Sequence, residues 1–126
     1  MPTLTYVPDI AELVNEFRSR YLVDFGCGNG WQYTRERCHV AWGVQMPILY
    51  EPYGNFRQPP CGNFDGLISI GFLDRMRPED SGKLLQAVPG FATQWAFIVV
   101  RDTARWQAIL APLFAGRARL VLKGSV

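Results

Sequence analysis

Lysine occurs only twice in this 126-residue chain, at 83 and 123, and histidine only once, at 39. There is no polybasic run and no acidic run: 13 Lys and Arg stand against 11 Asp and Glu, for a net charge of +2. Charge alone therefore gives no signal of a nucleic-acid or membrane-surface partner. Arginine supplies nearly all the positive charge, which leaves phosphate and carboxylate contacts open. Cysteine is also scarce. Cys27, Cys38 and Cys61 are an odd number at spacings of 11 and 23, which suggests neither a disulfide framework nor a zinc motif. No apolar run reaches the roughly 18 residues that a membrane-spanning helix needs. Met1-Pro2-Thr3-Leu4-Thr5 carries neither a charged n-region nor an apolar h-region, so no signal peptide and a cytoplasmic location are expected. No repeat, low-complexity segment or linker is present. Hydrophobic residues make up 48% of the chain, enough for a packed core, and the length fits one domain spanning 1–126.

Apolar spacing then gives an order of elements. Ile10, Leu13, Val14 and Phe17 fall at helical intervals within residues 9–20, with Asp9 and Glu12 in a capping-box pattern. Tyr21-Leu22-Val23-Asp24-Phe25 reads as a buried strand that ends in the tight turn Gly26-Cys27-Gly28-Asn29-Gly30. A short helix is expected within 31–38, a strand at 48–50 after Pro47, and a loop over 51–63. Strands follow at 66–70, 95–100 and 119–122. Helices follow at 78–88 and 103–115, the second carrying Pro112. Strands that alternate with helices and read as continuous apolar runs predict an α/β fold. The expected architecture is a Rossmann-like, open, mostly parallel sheet of about five strands with helices on both faces. In such sheets ligands bind beyond the carboxyl ends of the strands, where the strand order switches.

The glycine turn is the most informative segment. Glycines at 26, 28 and 30 admit positive φ and close approach of a ligand to the backbone. Their spacing is G-x-G-x-G, one residue short of the G-x-G-x-x-G of dinucleotide sites. Asp24 stands two places before the first glycine, where pyrophosphate needs no acid and a cationic or amine-bearing ligand would benefit.

Asp24-Phe25-Gly26-Cys27-Gly28-Asn29-Gly30 resembles motif I of the class I S-adenosylmethionine-dependent methyltransferases. Phe64-Asp65-Gly66-Leu67-Ile68-Ser69 resembles the opening of that family's fourth strand, and Phe72-Leu73-Asp74-Arg75-Met76 the segment after it. With Trp42-Gly43-Val44, Leu49-Tyr50-Glu51-Pro52 and Pro59-Pro60, the order is similar to a group of small methyltransferase-like proteins common in bacteriophages. The resemblance spans roughly residues 20–110. It implies S-adenosylmethionine as cofactor, contacted by Asp24, Gly26, Cys27, Gly28, Gly30, Ser69 and Ile70. It also implies an acid after the second strand that holds the ribose hydroxyls. Two registers are open for that acid. One puts Gln45 there and loses the acid; the other, preferred, puts Glu51 there, 21 residues after Gly30. If the chain is phage-encoded, the location becomes the host cytoplasm.

Departures from the family pattern matter. Arg75 stands where many relatives carry His, Asp74 where they carry Glu, and Gly71 where the phage group carries Asp. No catalytic residue is assigned, and no metal ligand. Gln58-Pro59-Pro60-Cys61 superficially resembles the box of amino-methylating DNA enzymes, but it precedes its strand and lacks the aromatic residue. Cys27 and Cys61 read as packing or loop residues rather than nucleophiles, and His39 has no visible partner. Trp31 and Tyr33 are candidates for a pocket wall or for core. Two functions are carried forward: a small methyltransferase whose acceptor is DNA, protein or a small molecule, and a non-catalytic binding protein on the same fold. The non-catalytic form would include a phage modulator of a host protein. Nicotinamide or nucleotide binding is a weaker third. Exposed sheet edges suggest a homodimer.

Overall fold

A computed structural model describes residues 2–125. Its strands are β1 (Leu22–Phe25), β2 (Ile48–Tyr50), β3 (Phe64–Ile70), β4 (Ala92–Val100) and β5 (Arg119–Gly124). They form one sheet in the order β2-β1-β3-β4-β5, and every pairing is parallel. Leu22–Phe25 and Trp95–Val100 are buried throughout. Continuous burial is what a parallel sheet covered on both faces requires, and it explains the unbroken apolar runs.

The helices are α1 (Pro2–Thr5), α2 (Val7–Phe17), α3 (Trp31–Thr34), α4 (Cys38–Trp42), α5 (Phe72–Arg75), α6 (Pro78–Ala87) and α7 (Thr103–Phe114). One face of the sheet packs Ile68, Trp95, Phe97 and Val99 against Ile10, Leu13 and Val14 of α2 and against Tyr33, Cys38 and Trp42. The other packs Val23, Phe25, Leu67 and Ile98 against Phe72, Leu73, Trp106, Leu110 and Phe114. The chain leaves β1 in one direction for β2 and in the other for β3, β4 and β5. The helices change face at the same point, as a constant crossover hand demands. Among the described residues no helix is long and apolar enough to cross a membrane.

Several boundaries differ from expectation. Helix α2 starts at Val7 rather than Asp9, with Pro8 in its first turn and Asp9 as the acid of that turn. The proline favours this earlier start, so Tyr6 takes the cap position and the predicted capping box does not form. The 31–38 segment is split into α3 and α4, with Arg37 in the left-handed region at φ 56° between them. Strand β4 starts at Ala92, three residues early: Ala92 pairs with Phe64, ahead of a shift in the β3–β4 register between Phe64 and Gly66. Gly66 is obligatory there: a Cβ would stand 2.2 Å from Cζ2 of Trp95. That indole donates to Ser19 Oγ at 2.9 Å, and Ser19 donates to Gln94 Oε1 at 2.8 Å. Asp65 accepts the amides of Arg20 and Tyr21 at 2.7 and 3.1 Å. These bonds tie together the amino end of the sheet.

Candidate functional site

The reversal of direction at β1 opens a cleft of about 950 Å³ over the carboxyl ends of β1, β3 and β4. Its walls are the glycine turn with α3, the Ile70–Gly71 turn with α5, and Arg101 after β4; Thr3, Thr5 and Tyr6 approach from the amino-terminal segment. Gly26, at φ +95°, could carry no side chain, since a Cβ would lie 2.2 Å from Cβ of Phe72. Gly28 (φ +62°) and Gly71 (φ +75°) are different: a Cβ on either would meet nothing within 4 Å. Both line the cleft, so their missing side chains leave its space open.

The amides of the turn are largely spent. Gly26 and Cys27 donate to Tyr50 O at 2.7 and 3.1 Å, and Gly30 donates to Cys27 O at 3.2 Å. Gly28 donates to Glu51 Oε1 at 3.0 Å and Trp31 to Asn29 Oδ1 at 3.1 Å. A phosphate-binding turn presents such amides unpaired to an anion. This turn instead backs its amides onto the end of β2 and offers the cleft a carboxylate.

That carboxylate is Asp24, the penultimate residue of β1 and 2% exposed. Its Oδ2 accepts from the Tyr33 hydroxyl and from Gln32 Nε2 at 3.3 Å. Gln32 is fixed by a second bond to Cys27 O at 3.0 Å. Burial raises the Asp24 carboxyl from 3.8 to about 6, against the lowering effect of the Tyr33 and Gln32 bonds and with a smaller push from Glu51. Burial, then the charge of Asp24, also drives the Tyr33 phenol far above its ordinary range. The Cys27 thiol is pushed up to about 12, first by burial and then by Asp24 and Glu51, so it remains protonated and unreactive.

Glu51 follows β2 directly, and Tyr50 pairs with Phe25 in the β1–β2 register. The acid after the second strand is thus Glu51, while Gln45 lies ahead of the strand. Glu51 is 3% exposed. It accepts from Gly28 N, from Tyr53 N at 3.4 Å and from an Nη of Arg75 at 3.2 Å. Tyr53 is held over Phe72, ring centroids 6.1 Å apart, by its hydroxyl bond to Asp80 at 2.7 Å.

Asp24, Gly26, Cys27, Gly28 and Ile70 all line the cleft, whereas Gly30, Glu51 and Ser69 do not. Gly30 caps α3 at φ 76° and faces Leu49 and Phe56. Glu51 sits behind Gly28 and Arg75. Ser69 alternates with Ile70 onto the opposite face of β3, where its buried hydroxyl has no partner. Trp31 lines the rim, 40% exposed, with the Arg35 guanidinium 3.6 Å from its ring centroid; Tyr33 belongs to the core. The contributions of Thr3, Thr5, Tyr6 and Ser125 had no signal in the sequence, since no motif marks them. Cys61 is exposed and Cys38 buried, both free thiols. Among the described residues no group of three or more His, Cys, Asp or Glu could hold a metal ion. Comparison of the chain with protein-family models, curated proteins and solved structures finds no match to any of them.

Proposed function

We propose that this cleft binds S-adenosylmethionine and that the chain is a small methyltransferase. The observation that carries the reading is the pairing of two acids with a donor-poor glycine turn. Asp24 is next to the last residue of β1, Glu51 follows the adjacent β2, and the glycine turn after β1 has most of its amides already bonded. Such a surface suits a ligand that brings its own donors and positive charge, an ammonium and hydroxyl groups, and disfavours the pyrophosphate of a dinucleotide. The cleft volume falls within the usual range for small-molecule sites, and the bare Cα atoms of Gly28 and Gly71 face open space where a ligand passes between them.

When bound, the cofactor supplies an electrophilic methyl group on a sulfonium, transferred by in-line displacement. The protein's part is to hold donor and acceptor aligned, which needs no acid–base pair. Asp24 would receive the amino group, and Glu51 the ribose hydroxyls. Arg101 and Trp31 stand at the rim where an acceptor would approach.

Calorimetric titration with S-adenosylmethionine and S-adenosylhomocysteine tests the reading, with ATP and a nicotinamide dinucleotide as phosphate-bearing controls. Micromolar binding of the first two, and of neither control, is expected. Gly28→Asn should abolish it, because Asn tolerates the left-handed backbone and projects into the open space. Folded protein that binds none of these ligands would refute the cofactor and leave the non-catalytic binding protein as the reading to pursue. Tighter binding of the controls would refute the charge argument.

A further inference from the structure

We propose that Arg75 is a built-in stand-in for the ligand's vicinal diol: its guanidinium occupies the donor position on Glu51 that a ribose would take, and so sets how tightly the cleft holds a nucleoside. The inference rests on the cofactor reading above, whose failure the test separates from its own.

Glu51 has three donors, and they differ in kind. Gly28 N and Tyr53 N are backbone amides, fixed by the glycine turn and by the Tyr53 anchor on Asp80. Arg75 alone is a side chain that can leave. Its own side chain is 52% exposed while that of Glu51 is 4% exposed. It touches the carboxylate through a single Nη at 3.2 Å, and the Phe72 ring lies 5.9 Å from its guanidinium carbon. Arg75 and Gly28 line the cleft, and Glu51 does not. Arg75 therefore stands between the cleft and the acid, and a ligand reaches Glu51 only by displacing it.

The exchange is chemically matched. A guanidinium presents parallel N–H donors to a carboxylate, and a cis-diol presents two O–H donors to the same acceptor. Displacement keeps Glu51 satisfied at every stage, since an orphaned buried carboxylate would be costly. The guanidinium loses only a half-exposed ion pair and moves into solvent. Such pairs are weak, so the competition is mild, and a ligand that lacks the diol has nothing to put in the guanidinium's place and leaves the pair intact.

The test is calorimetric titration of wild type, Arg75→Ala and Arg75→Lys with S-adenosylhomocysteine, adenosine and the dideoxy analogue of adenosine that lacks both ribose hydroxyls. Arg75→Ala should bind the two diol-bearing ligands about two- to fivefold tighter than wild type. It should leave the dideoxy compound unimproved. Arg75→Lys should fall between, having charge without the fork. A purely structural role for Arg75 would shift all three ligands together, and that result overturns the proposal. Equal or weaker binding of S-adenosylhomocysteine by Arg75→Ala also overturns it while the cofactor reading stands. If neither wild type nor variants bind any of the three, the cofactor reading falls and this proposal with it.

Discussion

Replacing Asp24 with Asn should stabilise the protein at neutral pH while weakening ligand binding. The carboxyl is buried and its folded-state value is about 6 against an ordinary 3.8. Its ionised form is therefore disfavoured in the folded protein by roughly 3 kcal/mol. Because the folded value is raised, the folded state holds the proton more tightly than the unfolded chain does. Wild type thus gains stability as pH falls from above 6 towards 4, and above 6 it carries the whole penalty. An Asn side chain is isosteric, and its carbonyl accepts the Tyr33 and Gln32 bonds in place of Oδ2. The value of about 6 already includes what both bonds do for the ionised form, and Asn stands in for the neutral carboxyl, so the net gain expected at pH 8 is about 3 kcal/mol. The gain should shrink to about zero near pH 4, where wild type is protonated. Urea denaturation followed by tryptophan fluorescence at pH 8, 6 and 4.5 measures it. Other carboxylates titrate equally in both proteins and cancel in the difference. An Asn variant less stable than wild type at pH 8, or a difference that does not change with pH, would refute the reasoning.

Ligand affinity should follow the same group. A cationic ligand favours ionised Asp24, so binding should strengthen as pH rises through about 6, and titrations at pH 5 and 7.5 should show it in wild type but not in Asp24→Asn. Ser69→Ala should stabilise by about 1 kcal/mol in denaturant titrations, because the hydroxyl is buried without a partner; destabilisation would reveal a bond to that hydroxyl. Gly66→Ala should destabilise by about 3 kcal/mol or prevent folding, since the new Cβ would meet the Trp95 ring at 2.2 Å; thermal melting decides it. Thiol labelling of folded protein at pH 8 should modify Cys61 rapidly and spare Cys27 and Cys38, which are buried with raised thiols. Mass spectrometry would detect a contrary pattern.

Most of the sheet was legible because a parallel strand buried on both faces reads as a nearly continuous apolar run. Trp95–Val100 and Gly66–Ile70 have no other reading once bounded by turns. Short helices were legible only in part: one was expected within 31–38, where α3 lies. Helix α5 is a single turn, too brief for periodicity, and α4, which ends at Gly43, is only five residues long. The floor of the cleft was legible because glycines at 26 and 28 admit the positive φ that the turn adopts. For the acid after β2 the resemblance left two registers open, and the Phe25–Tyr50 pairing puts Glu51 directly after the strand and Gln45 ahead of it. Three features needed tertiary structure. Arg75 meets Glu51 across 24 positions of sequence, Tyr33 reaches down onto Asp24, and α1 brings Thr3 and Thr5 to the rim. None has a local signature, since each depends on how separate segments pack.

The position of Asp24 is itself an argument about function. A carboxylate at 2% exposure works against stability, and an apolar residue would pack the end of β1 at no electrostatic cost. Neighbours soften the penalty without removing it: Tyr33 and Gln32 lower the carboxyl, yet burial outweighs both. A second buried acid, Glu51, adds to the strain, and it is the one with a cation resting on it. Structural reasons for such an arrangement are weak, because the turn's shape is already set by Gly26 against Phe72 and by the amides bonded to Tyr50. What the two acids share is the ends of neighbouring strands: Asp24 lines the cleft, and Glu51 lies just behind its wall, bonded to Gly28 and Arg75. Perturbed groups gather where binding needs them, and the penalty at Asp24 is the kind that a bound cation would relieve.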